Sequence, residues 1–128
     1  MHDRIRQALD QGQVIDITTT GRTSGLPRRI EIVFHNFGGR IYISGMPRHE
    51  KRAWLANLEA DPAMTVHLKG AVQADIEAAG RVIGDEVERR QVMPLVARAW
   101  RRTDIDVMVA QSPLIEVVIP GYGVAAAA

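Results

Sequence analysis

The stretch "RIEIVFHNFGGRIYISG", residues 29–45, decides the fold. Its first half alternates, with Ile30, Ile32 and Phe34 on one face and Glu31, Val33 and His35 on the other. A period of two residues is the signature of a strand with one buried side. Asn36 to Gly39 carries turn chemistry, and the return segment from Arg40 again places Ile41 and Ile43 on one face. The unit is a β-hairpin, and local antiparallel pairing is its natural product.

Moving towards the N-terminus, "QVIDITTT" (13–20) is β-branched and reads as a strand. Ahead of it, Ile5, Ala8 and Leu9 stand at helical spacing within residues 2–11. They predict a short amphipathic entry helix, with Gly12 as its left-handed C-cap. Towards the C-terminus, Ala53, Trp54 and Leu58 share a stripe in "PRHEKRAWLANLEADP", which predicts a helix from His49 to Glu59 stopped by Asp61-Pro62. "AMTVHLKG" (63–70) and "AVQADIEAAGRVI" (71–83) alternate and form a second antiparallel ribbon. Gly80 interrupts it at a bulge or a barrel corner.

Asp85 followed by Glu88 makes a capping box for a helix reaching Arg102, with Pro94 as a kink or a break. Its apolar side is read as Val87, Leu95, Val96 and Ala99. Thr103 with Asp106 repeats the capping logic, "PLIEVVI" (113–119) supplies the last strand, and "GYGVAAAA" reads as a frayed tail. Adjacent strands joined by hairpins, without βαβ crossovers, imply an antiparallel barrel with flanking helices. The fold class is thus α+β, mainly β, divided into an N-terminal helix (1–12), a barrel (13–119) and a tail (120–128).

A chain of 128 residues fits one domain. Lys plus Arg number 16 against 15 Asp plus Glu, a net charge of +1, which speaks against a general nucleic-acid or membrane-surface binder. No cysteine is present, so disulfides, thiolate nucleophiles and cysteine metal sites are excluded. Neither a signal peptide nor a spanning segment is evident, and a cytoplasmic location is the expectation.

Local chemistry gathers in "DITTTGRTSGLPRR" (16–29). Gly21 and Gly25 permit close backbone approach, Thr20, Thr23 and Ser24 offer hydroxyls, and Arg22, Arg28 and Arg29 offer forked cationic donors. Phosphate or carboxylate is the matching guest, although a solvated polar hairpin loop would have the same composition. The spacing fits neither a GxxxxGK[ST] phosphate loop nor a GxGxxG dinucleotide turn. His2, His35, His49 and His67 fall on different elements without ligand spacing, so no metal site is read. Asp75 and Glu77 share a strand face, which a solvated outer surface explains. Trp54 either stacks on a planar ligand or fills the core.

The blocks "DITTTGRTSGLPRR", "GGRIYISGMPR" and "AWLANLEADPAMTVHL", in that order, resemble the deazaflavin (F420)-dependent nitroreductase family of split β-barrel flavin/deazaflavin oxidoreductases, over residues 13–119. The resemblance implies a split antiparallel β-barrel related to pyridoxamine-phosphate-oxidase-like FMN proteins. It also implies coenzyme F420 as cofactor, with FMN as the alternative, and hydride transfer to a small conjugated or quinone-like acceptor. A non-catalytic cofactor carrier is a further reading. By the same resemblance Arg22, Thr23, Ser24 and Arg28 contact the anionic tail, and Ser44, Gly45 and Met46 lie along the ring. Ala53 and Trp54 close one side; relatives carry a lysine where this chain has Thr23 and a lysine-containing glycine-rich loop where it has the shorter "GMPRHEKR", and Arg48 or Lys51 is the expected replacement. No catalytic acid or base is assigned. A homodimer is expected because an open barrel leaves apolar surface and strand edges to cover.

Overall fold

The computed structural model describes residues 1–123. In chain order the elements are α1 (Asp3–Leu9), β1 (Gln13–Thr20), β2 (Pro27–Phe37), β3 (Arg40–Ser44), α2 (Ala53–Ala60), β4 (Ala63–Lys69), β5 (Gln73–Val82), α3 (Glu86–Ala99), α4 (Ile105–Gln111) and β6 (Leu114–Val118). The strands close into a barrel in the order β1-β2-β3-β6-β5-β4, every pair antiparallel. Both expected hairpins form, with Phe34 opposite Ile43 in one and Val66 opposite Ile76 in the other. Closure leaves no free strand edge in the sheet, so that part of the argument for a homodimer falls away.

Alternation puts Ile15, Ile17, Phe34, Ile41, Ile43, Val66, Leu68, Ile115 and Val117 inside the barrel. Trp54 and Leu58 of α2 and Leu9 of α1 join the same core. β3 is buried on both faces: Tyr42 points outward into a second cluster with Met93, Val96, Met108 and Leu114, where α3 and α4 cover the strand. The outer face of β1, β2 and β4 is instead ionic. Asp16 accepts from Arg29 Nε (3.0 Å) and Lys69 Nζ (2.7 Å), and Lys69 also reaches Glu31. The two cations hold the Asp16 carboxyl below its ordinary pKa.

Several expectations change in detail. Gly12 is not a left-handed cap; α1 ends on Asp10 in right-handed geometry, and Gly12 is needed because a Cβ there would lie 2.7 Å from the Phe34 carbonyl oxygen. α2 begins at Ala53, a turn later than read, because His49–Arg52 offers no apolar side chain to bury. Arg52 is extended (φ −69°, ψ 146°), and its Nη2 donates back to the Met46 carbonyl (2.7 Å). The corner expected at Gly80 lies where β5 passes from β4 to β6, Ala79 pairing with both. There Gly80 makes room for Leu58, whose Cδ1 would stand 2.9 Å from a Cβ.

In α3 half of the expected capping box forms: Asp85 Oδ2 accepts from the Glu88 amide (2.9 Å), while the Glu88 carboxylate turns to Arg81 Nη1 (3.0 Å) and Nη2 (2.6 Å). The helix ends at Ala99, short of Arg102, and passes through Pro94 as one element. Its buried face is Val92, Met93, Val96 and Ala97, whereas Val87 and Leu95 are exposed. The stripe opens on Arg89, which is half-buried, and a charged residue there hides the helix phase in the sequence. Asp104, not Thr103, caps α4, and Arg102 Nε holds its carboxylate (2.9 Å). Tyr122 is not frayed: it is buried, donates to Asp10 Oδ1 (2.6 Å) and accepts from Asn36 Nδ2 (2.9 Å). Burial and then the Asp10 carboxylate push its phenol up to about 12. Residues 124–128 of the expected tail lie outside the described residues.

Candidate cofactor site

The loop between β1 and β2 is a tight structure of its own. Gly21 N donates to Leu26 O and Gly25 N to Gly21 O, each at 2.8 Å, and Gly25 adopts φ +71°. A side chain at Gly21 would meet Ser24 Oγ at 2.6 Å. Ser24 Oγ accepts from the Leu26 amide (3.1 Å) and, weakly, from Arg28 Nη2 (3.5 Å).

The organiser of this loop is Asn57, a polar residue on the buried stripe of α2. Its Oδ1 accepts from the Arg22 amide (3.1 Å) and Arg22 Nη1 (3.0 Å), while Nδ2 donates to Thr19 Oγ1 (3.1 Å). Asn57 was missed in the sequence. The available signal was an amide at i+3 from Trp54 and next to Leu58, a position where a polar group is retained only if it is satisfied.

Between loop and helix runs a groove of about 570 Å³. Its walls include Arg22, Thr23, Ser24, Arg28, Ile30, Ala53 and Trp54, so six of the residues singled out for the cofactor come together. Arg22 and Arg28 have no carboxylate partner among the described residues, whereas Arg29 is diverted to Asp16. Trp54 packs in the core, at 9% exposure, and also lines the groove.

The remaining residues are placed elsewhere. Ser44 is buried, and its hydroxyl donates to the Pro113 carbonyl (2.6 Å), which leaves only its backbone for a ligand. Gly45 lies under Arg52, whose Cζ would be 2.8 Å from a Cβ. Met46 is exposed, its sulfur 3.1 Å from Arg102 Nη1. Arg48 and Lys51 line a separate cavity past the N-terminus of α2, not the groove containing Thr23. Among the described residues no cluster of His, Asp and Glu is arranged to hold a metal. His67 instead bridges Thr18 Oγ1 and Asp75 Oδ1, each at 2.7 Å.

Residues 2–118 match the family described as F420H(2)-dependent quinone reductase. The chain belongs to that family. As an F420H2-dependent quinone reductase family member it is an F420-dependent oxidoreductase with the split-barrel fold. Among solved structures it is similar to an F420 reductase (14% identity, TM-score 0.67, covering 92% of this chain and 94% of that one). A second is an F420-H2 dependent reductase, FDR-A (20% identity, TM-score 0.61, 81% and 92%). A third is a Listeria innocua protein provisionally identified as a pyridoxamine 5'-phosphate oxidase (16% identity, TM-score 0.64, 91% of each chain). No significant match is found among curated proteins.

The donor set of the groove fits the cofactor of this family. Two free guanidiniums and two hydroxyl-bearing residues suit a phosphate and carboxylate tail, and the opposite wall is apolar and aromatic.

Proposed function

We propose that the groove between the β1–β2 loop and α2 holds the anionic tail of reduced F420, and that a small quinone-type acceptor is reduced beside the Ser44–Met46 segment. The observation that carries this reading is the pair of guanidiniums, Arg22 and Arg28, without carboxylate partners among the described residues, along a groove walled by Trp54.

When bound, reduced F420 supplies a hydride; its two lost hydrogens, one as hydride and one as proton, appear on the hydroquinone. The protein's part is positioning. Asn57 Oδ1 accepts from both the backbone amide and the side chain of Arg22, so the guanidinium is oriented before any ligand arrives. Arg28 and Ser24 add donors from the other side of the loop. The backbone from Ser44 to Met46 offers groups to the edge of a planar ring, and its geometry is held by Ser44 on Pro113 and by Arg52 on Met46. No side chain is assigned as acid or base, which suits a direct hydride transfer governed by proximity.

Fluorescence titration with F420 tests the assignment. Arg28→Ala is expected to weaken binding about tenfold or more, because a charge-assisted contact is lost, and wild-type affinity is expected to fall with salt. Unchanged affinity in Arg28→Ala would remove the groove from the cofactor site, and preferential binding of FMN would replace the cofactor. Binding without turnover of any quinone would leave a carrier.

A homodimer and a cytoplasmic location belong to this proposal. The first is supported by the cross-strand pair Val14 and Val33, both exposed on the outer barrel face (46% and 41%), and is tested by light scattering after size exclusion. The second is tested by cell fractionation; no helix among the described residues is long and apolar enough to cross a membrane.

A further inference from the structure

The corner between the end of β3 and the turn from α3 into α4 carries an arrangement that the cofactor reading leaves unused. Arg102 Nε donates to Asp104 Oδ1 (2.9 Å) and Nη2 to Asp104 Oδ2, and the Arg102 amide is tied to the Ala97 carbonyl (2.8 Å). A fork of this kind fixes the plane of the guanidinium. Its remaining edge faces a thioether, Nη1 lying 3.1 Å from Met46 Sδ. Thioether sulfur is a weak acceptor, so an oriented cationic donor is aimed at an atom that makes little use of it.

Met46 also stands apart from the other methionines inside the chain. Met64, Met93 and Met108 are buried, whereas Met46 is 45% exposed. Its main chain is nevertheless held, the carbonyl accepting from Arg52 Nη2 (2.7 Å). Its sulfur keeps a lone pair besides the one turned to Arg102. The chain has no cysteine, so thioethers are the only sulfur an oxidant can meet. Exposure decides which of them reacts first.

We propose that Met46 is an oxidation site through which a peroxide loosens the hold on F420. The thioether gives an electron pair to one peroxide oxygen, and the O–O bond breaks as the S–O bond forms. The departing hydroxide takes the proton of the transferred oxygen and becomes water. Sulfur loses two electrons and the peroxide gains them. The new sulfoxide oxygen is a strong acceptor where the thioether was a weak one. Arg102 Nη1 captures it, so the side chain is held at the α3–α4 turn and lost from the ring. The oxidant is at hand wherever quinones are reduced in air, because a hydroquinone returns its two hydrogens to dioxygen as hydrogen peroxide. Sulfoxide reductases reverse the step. The inference concerns regulation of the site already described, and it rests on the reading of Ser44–Met46 as the segment beside the ring.

The test treats the full chain with limiting hydrogen peroxide, locates sulfoxides by peptide mass mapping and follows F420 affinity by fluorescence titration. Met46 is expected to be oxidised ahead of Met64, Met93 and Met108, and F420 affinity to fall about tenfold. Each variant is compared with its own untreated sample. Met46→Leu is expected to keep its affinity through the treatment, which removes the exposed Met1 as the cause. Arg102→Leu is expected to form the sulfoxide at Met46 and to lose less than about threefold, since the capturing charge is gone. Oxidised Met46 with unchanged affinity overturns the proposal, as does a full loss in either variant.

Protection by the ligand separates the two readings. Saturating F420 is expected to slow oxidation of Met46 but not of Met1. An unprotected Met46 takes the segment away from the ring, and the proposal falls with that placement. A protected Met46 whose sulfoxide leaves affinity unchanged keeps the placement and overturns the proposal alone.

Discussion

Replacing Arg89 by Met tests how α3 is fastened to the rest of the molecule. In the native chain Nε donates to Val109 O (2.8 Å), Nη1 to Ile83 O (2.9 Å), and Nη2 to Met108 O (3.3 Å) and Ser112 O. These carbonyls are not equally dependent on it. Met108 O also accepts the Ser112 amide (2.9 Å) and keeps a partner without Arg89. Val109 O does not: its helical donor would be residue 113, a proline with no N–H.

Three part-buried carbonyls, of Ile83, Val109 and Ser112, therefore lose their donor. Each costs about 1–3 kcal/mol when left unmade, and water reaching the partly open site offsets some of it. The expected loss is about 3–5 kcal/mol, a large share of the roughly 5–15 kcal/mol that stabilises a domain. In thermal terms that is a fall of roughly 10–20 °C in Tm. Urea unfolding followed by circular dichroism measures it, with Arg89→Lys expected to fall in between, because an ammonium keeps the charge but not the fork. A loss under about 1 kcal/mol in Arg89→Met would refute the reasoning, since the stated penalty for even one unmade bond would not be seen.

Burial without a partner for Nε2 lowers the pKa of His35, which stacks on Phe37 (centroids 5.5 Å apart) and meets Trp100 edge-on (5.2 Å). The unfolded chain thus binds a proton more readily than the folded one, so stability present above the ordinary value of 6.5 is lost as pH falls below it. His35→Phe is expected to flatten this part of the pH dependence of the urea midpoint, and equal slopes in the two proteins would rule it out. Asn57→Leu, which unties Arg22 from α2, is expected to weaken F420 binding about tenfold and to cost about 1–3 kcal/mol of stability; titration and urea unfolding read the two effects separately. In Gly12→Ala the new methyl meets the Phe34 carbonyl oxygen at 2.7 Å, and a destabilisation of about 1–3 kcal/mol is expected by urea unfolding.

The hairpins were legible because their evidence is local: alternation over a few residues and a turn between them. β6 was legible as a strand but not in its place. Its insertion between β3 and β5 depends on partners far away in the chain, and no short-range pattern encodes that. The phase of α3 was hidden by Arg89, whose charge argues for solvent while its hydrogen bonds require burial. The arginine loop announced its chemistry through residue types alone. Which arginines remain free was not legible, because Arg29 is claimed by Asp16 across a strand pair and Arg22 is aimed by Asn57 from a helix 35 residues later. The late start of α2 likewise separated Arg48 and Lys51 from Thr23, although all three had seemed to serve one ligand.

The position of β6 has a kinetic consequence. The pairs β1–β2, β2–β3 and β4–β5 join neighbours in sequence, and β1–β4 can follow once those ribbons exist. β3 and β5, however, are both edges until residues 114–118 slot between them. During synthesis the nascent chain must therefore hold two unsatisfied strands apart until its last strand emerges, and closure is the step with the largest loop to fold back. Substitutions in β6 would slow refolding and promote aggregation through those edges out of proportion to their effect on equilibrium stability. The last strand is the latch of the barrel, and the quality of that latch sets how long the chain stays vulnerable on its way to the native state.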